Sequence, residues 1–130
     1  MAHSCKYLVI HCIDFRVQNS LNSFLTDKGM LGSCDIVSVA GATHGFDGHL
    51  LRQIQTSVEL HNTGEIVIIH HTDCGATGGR NAFPSDEAER LAHEEEMDNA
   101  KKTILEKFPK LNVQTYLMNT STGMVFDKLT

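Results

Sequence analysis

The chain has 130 residues, a formal net charge of -5 at pH 7, and 41% hydrophobic and 21% charged residues. That is enough to bury one core without disulfide staples, in proportions ordinary for a globular domain. An acidic balance with no stripe of lysine or arginine excludes a phosphate-backbone binder. Residues 1–10 carry too short an apolar run for a signal peptide, and no segment approaches membrane-spanning length, so a single cytoplasmic domain over 1–130 is expected.

In chain order, Cys5 lies near the terminus without a partner motif. Tyr7-Leu8-Val9-Ile10 then forms the compact apolar run of a buried parallel strand. Immediately after it stands Cys12-Ile13-Asp14-Phe15-Arg16. Val17, Leu21, Phe24 and Leu25 follow at helical spacing, with Gly29 suited to the position just past the helix end. Residues 35–40, with Ile36, Val37 and Val39, read as a second strand ending at Gly41, and Cys34 before it reads as a buried small hydrophobe. Leu50, Leu51, Ile54 and Val58 mark a second helix, closed near Asn62 and Gly64.

Residues 65–69 (Glu65-Ile66-Val67-Ile68-Ile69) are the clearest strand, and His71-Thr72-Asp73-Cys74-Gly75 follows it. A polar, glycine-rich loop over 75–85 leads to Ser85, which suits the cap of a long helix from Asp86 to about Phe108, stopped by Pro109. Acidic residues open that helix and lysines close it, matching its dipole, and Glu94-Glu95-Glu96 reads as a solvated face. Residues 113–118 form a fourth strand, and 123–126 are a candidate short edge strand in a hairpin. Four cysteines (Cys5, Cys12, Cys34, Cys74) are too few for a secreted disulfide scaffold.

Alternating strands and helices predict an α/β fold, a parallel-core sheet of order 2-1-3-4 with helices on both faces. Ligands in such sheets bind beyond the carboxyl ends of the strands, where the strand order reverses. Both signatures fall there, one after strand 1 and one after strand 3. The topology therefore predicts that Cys12 meets His71 and Cys74 although the chain separates them widely. Two thiolates and one imidazole are donors that Zn²⁺ prefers, and three protein ligands leave a position for water, the catalytic pattern. If the segment after strand 1 is extended, Cys12, Asp14 and Arg16 point one way while Ile13 and Phe15 face the core or pocket wall. Arg16 would then hold Asp14 in a two-pronged contact. Two thiolates neutralise Zn²⁺, which favours neutral substrates.

Cys-x-Asp-x-Arg followed by His-x-x-Cys-Gly resembles the β class of carbonic anhydrases, over most of the chain. The resemblance implies Zn²⁺ ligands at Cys12, His71 and Cys74 and a catalytic pair at Asp14 and Arg16. It implies reversible hydration of CO₂ to bicarbonate by a zinc-held hydroxide, and a homodimer or higher homo-oligomer. In some members the aspartate takes the fourth zinc position in a resting state, so Asp14 would alternate between two roles. Where the family tends to have glycine before its ligand histidine, this chain has His70, and its common Ala-Gly-Asn run is Ala40-Gly41-Ala42 here.

Several alternatives stand beside this. His70 is a second candidate for the ligand, a packed histidine or a proton shuttle, and His44 and His49 lie where they could line the cleft. The same zinc site could hydrolyse CS₂ or COS, or could bind metal without turnover. Cys74 to Arg80 also fits Cys-x₅-Arg, which resembles the oxyanion loops of cysteine-dependent phosphatases and arsenate reductases.

Overall fold

A computed structural model describes residues 3–122 and 125–129. Its elements are β1 (Tyr7–His11), α1 (Gln18–Asp27), β2 (Cys34–Ser38), α2 (Gly48–His61), β3 (Glu65–His71), α3 (Asp86–Lys107), β4 (Asn112–Asn119) and β5 (Val125–Lys128). They form one five-stranded sheet of order β2-β1-β3-β4-β5. The first four strands are mutually parallel and β5 is antiparallel to β4. The expected α/β fold and strand order are thus present. β5 supplies the edge strand, although Gly123 and Met124 of the predicted segment lie outside the described residues.

Alternation along the strands sends successive side chains to opposite faces of the sheet. Leu8, Ile10, Ile66 and Ile68 pack with Ile54 of α2 and with Met97 and Ile104 of α3 on one face. Val9, Val67, Ile69 and Tyr116 pack with Leu21, Phe24 and Leu25 of α1 on the other. β3 is buried along its whole length, as a central parallel strand flanked by β1 and β4 must be.

The helix boundaries follow local chemistry. Asp47 caps α2 by accepting from the Leu50 N–H, and Ser85 caps α3 by accepting from the Ala88 N–H. Past α1, Gly29 takes φ +69, the left-handed turn expected after a helix end. β2 begins at Cys34 and stops at Ser38, earlier than predicted, and β3 runs two residues further, through His71. The acidic run of α3 is only partly solvated: Glu94 accepts from Arg90, Glu96 pairs with His44, and Glu95 is exposed. Among the described residues no helix is long and apolar enough to cross a membrane.

Candidate metal centre

The carboxyl ends of β1 and β3 are adjacent in the sheet, so the segments leaving them converge. Backbone pairing continues beyond β2, from the Val39 N–H to the His11 carbonyl and from the Ile13 N–H to the Val39 carbonyl. That pairing brings Gly41 under Cys12, and the Gly41 N–H lies 3.3 Å from the Cys12 Sγ. Across the gap, the Cys74 Sγ is 3.9 Å from the Cys12 Sγ. With a His71 ring nitrogen these sulfurs form a buried cluster whose three donor atoms all lie within 4.8 Å of one another.

His71 has a defined tautomer. Its Nδ1 lies 2.8 Å from the Thr72 carbonyl oxygen, which can only accept, so Nδ1 carries the hydrogen. Nε2 is then left with a lone pair, buried and without a hydrogen-bond partner. Burial also holds His71 below its ordinary histidine range, favouring the neutral ring a metal requires. Burial pushes the Cys74 thiol up, with neighbouring Cys12 adding to it, so that thiol is poorly suited to ionise unaided. A dication would reverse that preference, because coordination deprotonates a thiol outright. An unpartnered imidazole lone pair beside two sulfurs is a donor set that fits Zn²⁺.

The alternation of β3 separates the two histidines. While His71 faces the sulfurs, His70 faces the opposite side, where its Nε2 accepts from the Thr43 N–H at 3.3 Å and lies 2.5 Å from the Thr43 Oγ1. Its Nδ1 is therefore the protonated atom and donates to the Nδ1 of His93 at 2.9 Å. Burial holds His70 down to about 3, so it is a neutral, packed histidine and not a proton carrier at neutral pH. His44 is engaged by Glu96, and His49 is exposed on the first turn of α2.

The expectation for Ile13 and Phe15 requires correction. They are 62% and 77% exposed and face neither core nor pocket wall. The chain does not stay extended past Asp14: that side chain accepts from the Arg16 N–H and starts a turn of 3₁₀ helix at Phe15–Val17. The Asp14–Arg16 contact forms nonetheless. Arg16 Nε reaches both carboxylate oxygens at 3.1 and 3.2 Å, and its Nη2 donates to the Asp14 Oδ2 at 2.7 Å. The Arg16 side-chain hydrogen bonds lower the Asp14 carboxyl to about 2. Asp14 Oδ2 stands 3.8 Å from the His71 Nε2, at the mouth of the cluster.

Two supporting residues, Asp73 and Glu89, were not singled out from the sequence, and a third, Gly41, was read only as the end of the second strand and within the Ala40-Gly41-Ala42 run. Asp73, held at φ +56, receives the other side of Arg16 through its carbonyl at 2.7 Å and its carboxylate at 3.1 Å. Buried Glu89 accepts from the Asp73 N–H at 2.7 Å and so fixes the turn between the two β3 ligand candidates. Asp73 lies inside the second motif, where a residue able to adopt a left-handed conformation is a usable signal; Glu89 sits on a distant helix and gives none.

Gly41 sits at φ +76, and a Cβ there would come within 2.9 Å of the Ala76 Cβ and 3.0 Å of the His44 Cβ. Gly41→Val is therefore expected to lose about 1–3 kcal/mol through backbone strain alone, more with the clash. A lowered urea midpoint together with weaker metal retention is the expected result. An unchanged midpoint would show that the turn relaxes freely.

Arg80 does not face the Cys74 thiol as an oxyanion loop would require. Its guanidinium bonds Ser121 and approaches Asp86, while its backbone N–H donates to the Asp73 Oδ1. The loop after Cys74 makes two short 3₁₀ turns, Gly75–Thr77 and Arg80–Ala82, before α3 begins. Cys74 opens only a single 3₁₀ turn, and α3 starts twelve residues later at Asp86, so among the described residues no α-helix leads directly from the thiol as in an oxyanion loop.

Comparison with known proteins bears on the family and the fold. A family model described as "Putative carbonic anhydrase" matches residues 2–126. An uncharacterized protein of Rickettsia bellii is 33% identical over 122 residues, covering 85% of this chain and 74% of that protein. An uncharacterized protein of Rickettsia conorii has the same identity and is covered over 66% of its length. The β-carbonic anhydrase CafA of Aspergillus fumigatus superposes with a TM-score of 0.73 at 18% identity, over 98% of this chain and 76% of that one. A tetrameric β-carbonic anhydrase of Sordaria macrospora gives 0.71 at 17% identity, over 98% and 81%. At such identities the likeness to the solved structures is one of fold.

Proposed function

Since the chain belongs to the carbonic anhydrase family and has the β-class fold, we propose that it is a zinc enzyme hydrating CO₂ reversibly to bicarbonate. Cys12, His71 and Cys74 would hold the ion. The observation that carries this reading is the buried, unpartnered Nε2 of His71, set beside two sulfurs 3.9 Å apart. Bound there, Zn²⁺ supplies a Lewis acid able to make water nucleophilic near neutral pH.

The chain's own residues then orient the reaction. Asp14, clamped by Arg16, is an acceptor only, and it accepts the hydrogen bond from the O–H of the attacking oxygen. That contact turns an oxygen lone pair toward the substrate carbon. Arg16 is in turn braced by Asp73, so the carboxylate is fixed before substrate arrives and need not reorganise during the reaction. Beside Cys12 and His71 lies a narrow recess walled by Val17, Leu21, Ile69 and Met118. The recess is no larger than about one water molecule, and its apolar wall disfavours a charged group there.

The test is stopped-flow CO₂ hydration on freshly purified, zinc-loaded protein, with COS and CS₂ run alongside. A rate far above background with CO₂ is expected. Zinc retained at this centre with only the background rate would leave a non-catalytic zinc protein. Turnover confined to COS or CS₂ would move the substrate while keeping the centre.

A further inference from the structure

A second group of side chains of the metal-ligating type lies at the other end of the sheet. Cys5 precedes β1 and Cys12 follows it, so the two are separated by the length of that strand, on the order of 20 Å. The Cys5 N–H donates to the His61 carbonyl at 3.0 Å, which ties the lead-in of β1 to the end of α2. A donor atom from each of Cys5, Asp35 and His61 lies within 4.8 Å of the others, and all three residues are half-buried. Cys5 therefore does have partners, drawn from β2 and α2, which no local motif announced. Cys34, half-exposed as the first residue of β2, lines the same cleft, as does His3, whose ring centroid is 5.1 Å from that of His61.

These donors are held in position. His61 Nδ1 lies 2.7 Å from the Asp35 Oδ2, and the same oxygen accepts from the Ser57 Oγ at 2.7 Å. Ser57 in turn contacts Thr63 at 2.6 Å, and the Thr63 Oγ1 is 3.8 Å from the Cys5 Sγ. The short His61–Asp35 contact holds these two side chains together, and Ser57 holds the carboxylate in turn. Thiol, imidazole and carboxylate are all Zn²⁺ donors. Unlike the centre at Cys12, this cluster opens on a solvent cleft of roughly 670 Å³, so an ion could enter and leave without unfolding.

We propose that Cys5, Asp35 and His61 form a second site for a zinc-type divalent cation, with Cys34 and His3 as flanking donors in the same cleft. An ion held there joins three separate stretches of chain and so stabilises the folded state in proportion to its occupancy. The site is independent of the proposed catalytic centre.

The experiment titrates Zn²⁺, and separately Co²⁺ followed by thiolate charge-transfer absorption, into the metal-free full chain with a non-thiol reductant present. Wild type is expected to take two equivalents. Cys5→Ala and His61→Ala are each expected to take one, with CO₂ hydration unchanged, and Cys12→Ser is expected to keep the equivalent that Cys5→Ala loses. Circular dichroism checks folding, and Cys5→Ser replaces any variant that does not fold. A single equivalent in wild type that Cys12→Ser abolishes would overturn the proposal. So would a second equivalent bound equally by wild type, Cys5→Ala and His61→Ala. Failure of the catalytic reading would look different: no hydration, or no metal dependent on Cys12, with the Cys5-dependent equivalent intact.

Discussion

Replacing Cys12 or Cys74 by serine is expected to remove zinc from the centre at the ends of β1 and β3 and to bring CO₂ hydration to the uncatalysed rate. The reason lies in charge as much as in geometry. Two thiolates balance the dication, and a serine hydroxyl, neutral at working pH and a harder donor, replaces neither the charge nor the softness. Loss of a residue that merely positions a ligand costs about 10–100-fold in metal affinity, so loss of a ligand atom should exceed about 100-fold. The sulfurs come from different strands, Cys12 after β1 and Cys74 after β3, and either change leaves the His71 Nε2 with one sulfur neighbour. Metal analysis after dialysis against a chelator, alongside stopped-flow hydration, reads both effects. His49→Ala, at an exposed position on α2, should match wild type in both. Full zinc loading in both serine variants would remove these residues from the metal centre.

Much of this centre was legible because a parallel sheet converts sequence distance into predictable proximity. Once 7–10 and 65–69 read as neighbouring buried strands, the residues just beyond them had to meet. The choice between His70 and His71 needed the exact end of β3, because strand alternation sends adjacent side chains to opposite faces. Pattern reading places strand ends only to within a few residues. Ile13 and Phe15 were misplaced for a related reason. Apolar character suggested burial, but the Asp14 side chain competes for the backbone N–H of Arg16 and turns the chain before the segment can stay extended. The pairing of His44 with Glu96 and the grouping of Cys5 with Asp35 and His61 left no trace in local pattern. Each joins segments far apart in the chain through surface geometry that periodicity does not encode.

Asp14→Ala is expected to keep its zinc and lose most of its turnover, with kcat/KM falling by about 10²–10⁴-fold, the range typical for a positioned proton-handling group. Asp14 lies outside the buried cluster of three donors, and both its oxygens are engaged by Arg16, so removing it takes away no ligand atom of that set. What disappears is a carboxylate at the cluster mouth, 3.8 Å from the His71 Nε2. Arg16 would still be held by the Asp73 carbonyl and carboxylate, which keeps the variant's mouth ordered and confines the loss to orientation of the attacking oxygen. Asp14→Asn separates the two contributions. It preserves shape but weakens the clamp, since the Arg16 guanidinium would meet an amide in place of an ionised carboxylate. Its turnover should fall between those of wild type and Asp14→Ala if the amide oxygen still accepts, and no higher than Asp14→Ala if the amide turns its NH₂ toward the attacking oxygen. Zinc content equal to wild type with unchanged kinetics in Asp14→Ala would take this residue out of the mechanism. Loss of zinc in the same variant would instead make it a ligand.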